Sequence, residues 1–131
     1  MTAEGNAEDP DRERWLVACL CAAWCRTCDE YLPTFEAAAR AHPDMRFAWI
    51  DIEDHSDALG PLALEVEDFP TVLVARDGEV RFYGTLLPHA ATLARTVDAA
   101  RRAVLTPAVA GLDEQRTRAL HAVGERIGAA P

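Results

Sequence analysis

All four cysteines of this 131-residue chain, Cys19, Cys21, Cys25 and Cys28, fall within ten positions of one another, and no other feature constrains the fold as much. A disulfide scaffold would spread its cysteines to staple distant segments, so the clustering argues for a single chemical site. The run Trp15 to Ala23 is short and almost continuously apolar, and it follows a charged segment. That is the pattern of a strand buried on both faces, placed here at 15–21. From Arg26 to Ala41 the period changes: Tyr31, Leu32, Phe35, Ala38 and Ala39 recur at helical spacing, and His42-Pro43-Asp44 stops the run. Cys25 therefore stands at the entrance of a helix that follows a buried strand.

The rest of the chain reads as an α/β domain. Arg46 to Ile52 is aromatic and β-branched, a second strand. Ser56 to Val66 carries Leu59, Leu62 and Val66 at helical spacing, with Ser56 as a cap and a kink at Gly60-Pro61. These segments form a βαβ unit, expected to cross over right-handed. Thr71 to Ala75 and Val80 to Gly84, joined across Asp77-Gly78, predict a hairpin. Leu93, Val97, Ala100 and Val104 outline another helix, ended by Thr106-Pro107. Leu112, Ala119, Leu120, Val123 and Ile127 share one face of a last helix, whose narrow apolar stripe suits docking on its own domain better than a partner. The predicted division is an acidic tail over 1–14, one domain over 15–105 and a helical extension over 106–131.

Composition removes several function classes. A net charge of −9 with scattered arginines repels phosphates, so nucleic acid is not an expected partner. There is no lysine, which excludes Schiff-base chemistry on a lysine. The acidic amino terminus has no apolar core and is not a secretory signal, and no stretch approaches the roughly 20 apolar residues that span a bilayer. The expectation is a soluble, cytoplasmic monomer with no membrane association.

Two cysteines separated by two residues at a helix entrance can close a small disulfide ring. The first sits where free backbone N–H groups and the helix dipole favour an anion. This reading makes Cys25 the attacking thiolate and Cys28, one turn on and more buried, the resolving thiol that displaces substrate from a mixed disulfide. The cycle needs no cofactor beyond an electron donor. A bare C-x-x-C also supplies half of many zinc sites, so the surrounding residues have to decide.

Those residues resemble the thioredoxin family. Ala22-Ala23-Trp24-Cys25-Arg26-Thr27-Cys28 follows a hydrophobic strand, and Pro33 lies five residues after the second cysteine. Asp51-Ile52-Glu53, Phe69-Pro70-Thr71, Asp77-Gly78 and Gly84 continue the match over about 15–104. The resemblance implies a thioredoxin fold, a mixed four-stranded sheet flanked by helices, with the extra carboxy-terminal helix added and the family's amino-terminal strand and helix absent. It implies a protein-disulfide reductase, recharged by a thioredoxin-reductase-like or glutathione-based donor. It also implies a cis Pro70 facing the disulfide, with the backbone before it pairing with substrate. Trp24, Arg26, Thr27, Phe69, Pro70, Thr71 and Gly84 are the substrate-side residues. Phe69 is bulkier than the usual neighbour of that proline and predicts a narrower or more hydrophobic groove.

The sequence departs from the family in two ways. The buried Asp six residues before the first active cysteine and its Lys partner on the neighbouring strand are replaced by Cys19 and Trp49, which removes the evident proton acceptor. Glu53, Asp29 and Asp51 are the candidate substitutes. Cys19 and Cys21, two apart on a strand, point to one face, which the resemblance implies is the face under the active-site helix. They read as small buried hydrophobes, with two sharper alternatives: a relay in which Cys19 exchanges with Cys28, or a zinc or iron–sulfur site on several of the thiols. No metal ligand is assigned. A redox-sensing adaptor or chaperone using Trp24, Phe69 and the 112–127 helix is the main rival function. Arg26-Thr27 in place of the usual Gly-Pro stabilises the thiolate, which predicts a Cys25/Cys28 potential above the roughly −270 mV of thioredoxin, to be read by equilibration with glutathione.

Overall fold

Trp15–Cys21 forms β1, buried along its whole length because both faces of the sheet are covered by helices. The computed structural model describes residues 15–77, 79–102 and 114–127, the side chains of 114 and 125–127 excepted. The expected 1–14 tail, Gly78, Val104, Leu105, Thr106-Pro107 and Leu112, and the side chain of Ile127, lie outside what is described.

After β1 the order is α1 (Arg26–Ala41), β2 (Arg46–Asp51), α2 (Ser56–Leu59), α3 (Leu62–Glu65), β3 (Thr71–Arg76), β4 (Glu79–Thr85), α4 (Ala90–Arg102) and α5 (Glu114–Ile127). The four strands lie in the order β2-β1-β3-β4; β1 pairs parallel with β2 and antiparallel with β3, which pairs antiparallel with β4. Alternation along β1 divides the core. Val17, Cys19 and Cys21 face Tyr31 and Phe35 of α1 and Leu93 and Val97 of α4. Leu16, Ala18 and Leu20 face Leu59, Leu62, Leu120 and Val123 of α2, α3 and α5.

The single helix expected over 56–66 is instead two four-residue helices. Gly60 takes φ +64°, a left-handed conformation that ends the first helix, and Pro61 supplies no N–H to bridge into the second. β2 stops one residue early because the Asp51 carboxylate accepts the N–H groups of Glu53 and Asp54, closing a turn.

α5 lies on β1, β2 and α2, with Leu120 and Val123 fully buried. Gly124 is needed at this crossing: a Cβ there would stand 3.0 Å from a Leu16 methyl. Arg116 adds a two-pronged ion pair to Glu65 of α3, at 2.7 Å on each oxygen.

At the opposite face Arg101, in the last turn of α4, grips both oxygens of Asp44 at 2.6 and 2.9 Å. The Arg101 hydrogen bonds hold the Asp44 carboxyl below its ordinary range. A depressed carboxyl contributes stability above its unfolded pKa and loses it as pH falls through its folded value. Both side chains are substantially exposed, so Asp44→Asn is expected to cost no more than about 1 kcal/mol at neutral pH. In urea titrations that difference should shrink toward zero as acid protonates Asp44.

Candidate active site

The switch from β1 to α1 places the cysteines. Ala22 accepts the Cys25 N–H at 3.0 Å, a tight turn that carries the chain off the sheet end, and Cys25 becomes the N-cap of α1 with extended backbone, φ −89° and ψ 117°. Its side chain makes no capping hydrogen bond and is half-buried. Cys28, Tyr31 and Phe35, at helical spacing, turn inward and are buried. Pro33 lies on the exposed side of α1, where its missing N–H leaves the Asp29 carbonyl without its helical partner.

Cys28 is joined to Cys21, not to Cys25. The Cα atoms of this disulfide are 5.8 Å apart, and Cys19 and Cys25 are the free cysteines. The expected Cys25–Cys28 closure is therefore not the pairing of this state, and Cys19 is not the strand thiol that reaches Cys28. The reason is axial level. α1 runs back over β1, so its first turn lies above the end of the strand. Cys19, two residues upstream, is about 6.6 Å further back, the level of a residue about one turn deeper in the helix. Tyr31 occupies that level, and its ionisation is pushed up first by burial and then by neighbouring Cys19. Its hydroxyl is buried without a hydrogen-bond partner. Burial also pushes the Cys19 thiol far up, so Cys19 stays protonated. Its sulfur lies 3.7 Å from that of Cys21, and because a disulfide sulfur carries no hydrogen, the Cys19 S–H is the donor.

The positions of the missing charged pair are adjacent, Cys19 standing opposite Trp49 in the parallel register. Trp49 stacks obliquely on Phe35 at 5.6 Å, so apolar packing fills that space. Of the three substitute acids, Asp29 and Glu53 are exposed and Asp51 is held by its turn.

The residues expected on the substrate side gather at the same sheet end. Leu20 stands opposite Thr71, which brings the end of β1 beside Pro70. The Phe69–Pro70 peptide is cis. Trp24, 66% exposed, sets its edge against Phe69 with ring centres 5.6 Å apart. Cys25 and Phe69 each touch both core clusters, marking the point where the two faces meet. Arg26 is exposed and Thr27 half-buried. Thr71 Oγ1 donates to the Asp68 carbonyl at 2.5 Å, and Pro70's own carbonyl accepts the Leu86 N–H. Thr71 and Gly84 border a groove of about 210 Å³ with Glu65, Asp68 and Tyr83. Among the described residues no group of three or more His, Cys, Asp or Glu is arranged to hold a metal.

The thioredoxin family model matches residues 7–99. The chain belongs to the thioredoxin family. A putative thioredoxin 2 of Streptomyces coelicolor is 29% identical over 120 residues, 91% of this chain and 87% of that one. A thioredoxin of Mycoplasma genitalium is 33% identical over 57 residues, 44% of this chain and 54% of that one. Among solved structures, Fasciola hepatica thioredoxin superposes with a TM-score of 0.59 at 24% identity, covering 71% of this chain and 86% of its own. Oxidised mitochondrial thioredoxin 3 of Saccharomyces cerevisiae gives 0.57 at 23%, covering 70% and 84%. The thioredoxin fold is thus shown. Family membership and the Cys21–Cys28 pair beside a free Cys25 point to thiol–disulfide chemistry. Sequence reasoning carried Cys21 only as an auxiliary thiol and gave Tyr31 no role at the site. Matching strand rise against helix rise was the signal that would have found Cys21.

Proposed function

We propose that this chain reduces or exchanges protein disulfides, with Cys25 as the nucleophile and Cys28 as the resolving thiol. The observation that carries the reading is the free, half-buried sulfur of Cys25 at the N-cap of α1, one turn from a buried cysteine already in a disulfide. Thiolate attack needs access, and of the four cysteines Cys25 is the one that is not buried. Trp24, Arg26, Thr27, Phe69 and Gly84 form the surface that receives the substrate, backed by the buried Pro70 and Thr71, with Trp24 and Phe69 as its apolar rim. A thioredoxin-reductase-like or glutathione-based donor recharges the dithiol, and the chain works as a cytoplasmic monomer. No described helix is long and apolar enough to cross a membrane.

The adaptor reading loses part of one of its surfaces, because Leu120 and Val123 of the α5 stripe are buried on the chain's own sheet. Assay of the purified chain on a generic protein disulfide tests the proposal: catalysed reduction supports it, and its absence with either donor class overturns it. Cys28→Ser, unable to resolve, should accumulate mixed disulfides through Cys25 whose captured partners name the substrates.

A further inference from the structure

We propose that Cys21 is a third redox thiol: once Cys25 and Cys28 have been oxidised by a substrate, Cys21 takes Cys28 away from Cys25, storing the disulfide in the core and returning Cys25 as a free thiol. This rests on the assignment of Cys25 as nucleophile and Cys28 as resolving thiol.

Three observations carry it. Cys28 is paired with Cys21 while Cys25 is free. Cys28 is the one cysteine shared between the helix entrance and the strand, so the two pairings are mutually exclusive and interconvert by a single exchange. Cys21 and Cys28 are both buried in one apolar cluster, whereas Cys25 sits at its edge. A disulfide has no charge and no S–H in need of a partner, so it suits that cluster. The exchange then leaves the reactive sulfur at the accessible helix end, where water and backbone N–H groups can meet its charge.

The steps balance. The Cys25 thiolate attacks one sulfur of a substrate disulfide, forming a mixed disulfide, and the displaced substrate thiolate takes up a proton. Cys28 gives up its proton and attacks the Cys25 sulfur; the second substrate thiolate leaves and receives that proton. Two electrons and two protons have passed to the substrate. Cys21 then loses its proton and attacks the Cys28 sulfur, the Cys25–Cys28 bond breaks, and Cys25 leaves as the thiolate and recovers the proton. This last step changes no oxidation state. Reduction by the donor runs the exchange in reverse. The oxidised chain thus keeps a nucleophile at its surface. Cys19 takes no part, held protonated behind Cys21.

The test maps the disulfide in the full chain. Protein equilibrated in a glutathione buffer is quenched at low pH, its free thiols are blocked with N-ethylmaleimide, and it is digested with trypsin. Cleavage after Arg26 separates Cys19, Cys21 and Cys25 from Cys28. The expected product is a cross-linked peptide pair joined through Cys21, with Cys25 carrying the label or glutathione. A bond from Cys25 to Cys28 in most of the oxidised chain, with Cys21 labelled, overturns the relay. Because this mapping uses the unaltered chain, it does not depend on a variant folding. Cys21→Ala, confirmed folded by circular dichroism, should link Cys25 to Cys28. Having lost the more stable disulfide, it should need a glutathione ratio more oxidising by at least about tenfold, about 30 mV for a two-electron couple. An unchanged midpoint also overturns the relay. A chain that reduces protein disulfides yet maps to Cys25–Cys28 refutes the relay alone, whereas one that reduces none refutes the function beneath it.

Discussion

Replacing Cys25 with serine is expected to lower the rate of protein-disulfide reduction by about a thousandfold or more, the scale on which enzymes lose activity with their nucleophile. A serine hydroxyl does not form the mixed disulfide, and the remaining thiols do not stand in for it. Cys28 is 2% exposed and engaged with Cys21, and Cys19 is enclosed and held protonated by burial. The substitution should leave the fold intact, since Cys25 makes no side-chain cap and its backbone hydrogen bonds to Ala22 and Asp29 are kept. Circular dichroism and a stopped assay on a reducible protein disulfide check both parts. Cys19→Ala is the matched control, removing a thiol from the same cluster without touching the accessible sulfur, and its rate should stay within about twofold of the parent. A cellular role left intact by Cys25→Ser would instead favour the adaptor reading, in which Trp24 and Phe69 hold a partner without chemistry, whereas parent-like turnover would remove Cys25 as the nucleophile.

How much of this was legible beforehand depends on what a linear pattern encodes. Periodicity placed β1 at 15–21 and α1 from Arg26 because buried strands and amphipathic helices leave different repeats, and Asp77-Gly78 announced the hairpin that β3 and β4 make. Asp77 takes φ 52° there, a conformation Asp tolerates better than most residues. Periodicity gives the face a side chain occupies but not its level along the element. For that reason Cys19 and Cys21 were assigned to the correct face, while the partner of Cys28 had to come from three dimensions. Local patterns also conceal irregular pairing. The register between β3 and β4 slips after Val74, so that Phe82 and Val80 face successive residues and Arg81 is extra. This bulge sends the Arg81 guanidinium over the Trp15 ring and onto the Ala100 carbonyl, tying the sheet edge to the end of α4. Nothing in the alternation of Val80 to Gly84 marks which residue will be the unpaired one.

Phe35→Ala should be the most damaging single truncation in the seat of the active-site helix, costing about 3–5 kcal/mol. Phe35 is fully buried on the inward line of α1 that also carries Cys28 and Tyr31. Its ring meets Phe47 edge-on at 5.3 Å and Trp49 at 5.6 Å, so one side chain fastens α1 to the start and middle of β2. Truncation removes the buried ring area and both aromatic contacts. It also opens a cavity where the register places Cys19 and Trp49 side by side, a site closed by packing rather than by an ion pair. Against a typical domain stability of about 5–15 kcal/mol, such a loss takes up a large share of the whole. Urea unfolding should show the midpoint falling with little change in slope, because the surface exposed on unfolding hardly alters. The same helix holds Cys28 over Cys21, so a loosened seat should also lower the fraction of oxidised chain joined through Cys21 in the tryptic map. A stability loss below about 1 kcal/mol would mean that α1 is held in place by something other than Phe35, and the account of how the sheet positions the thiols would have to be rebuilt from Tyr31 and the disulfide alone.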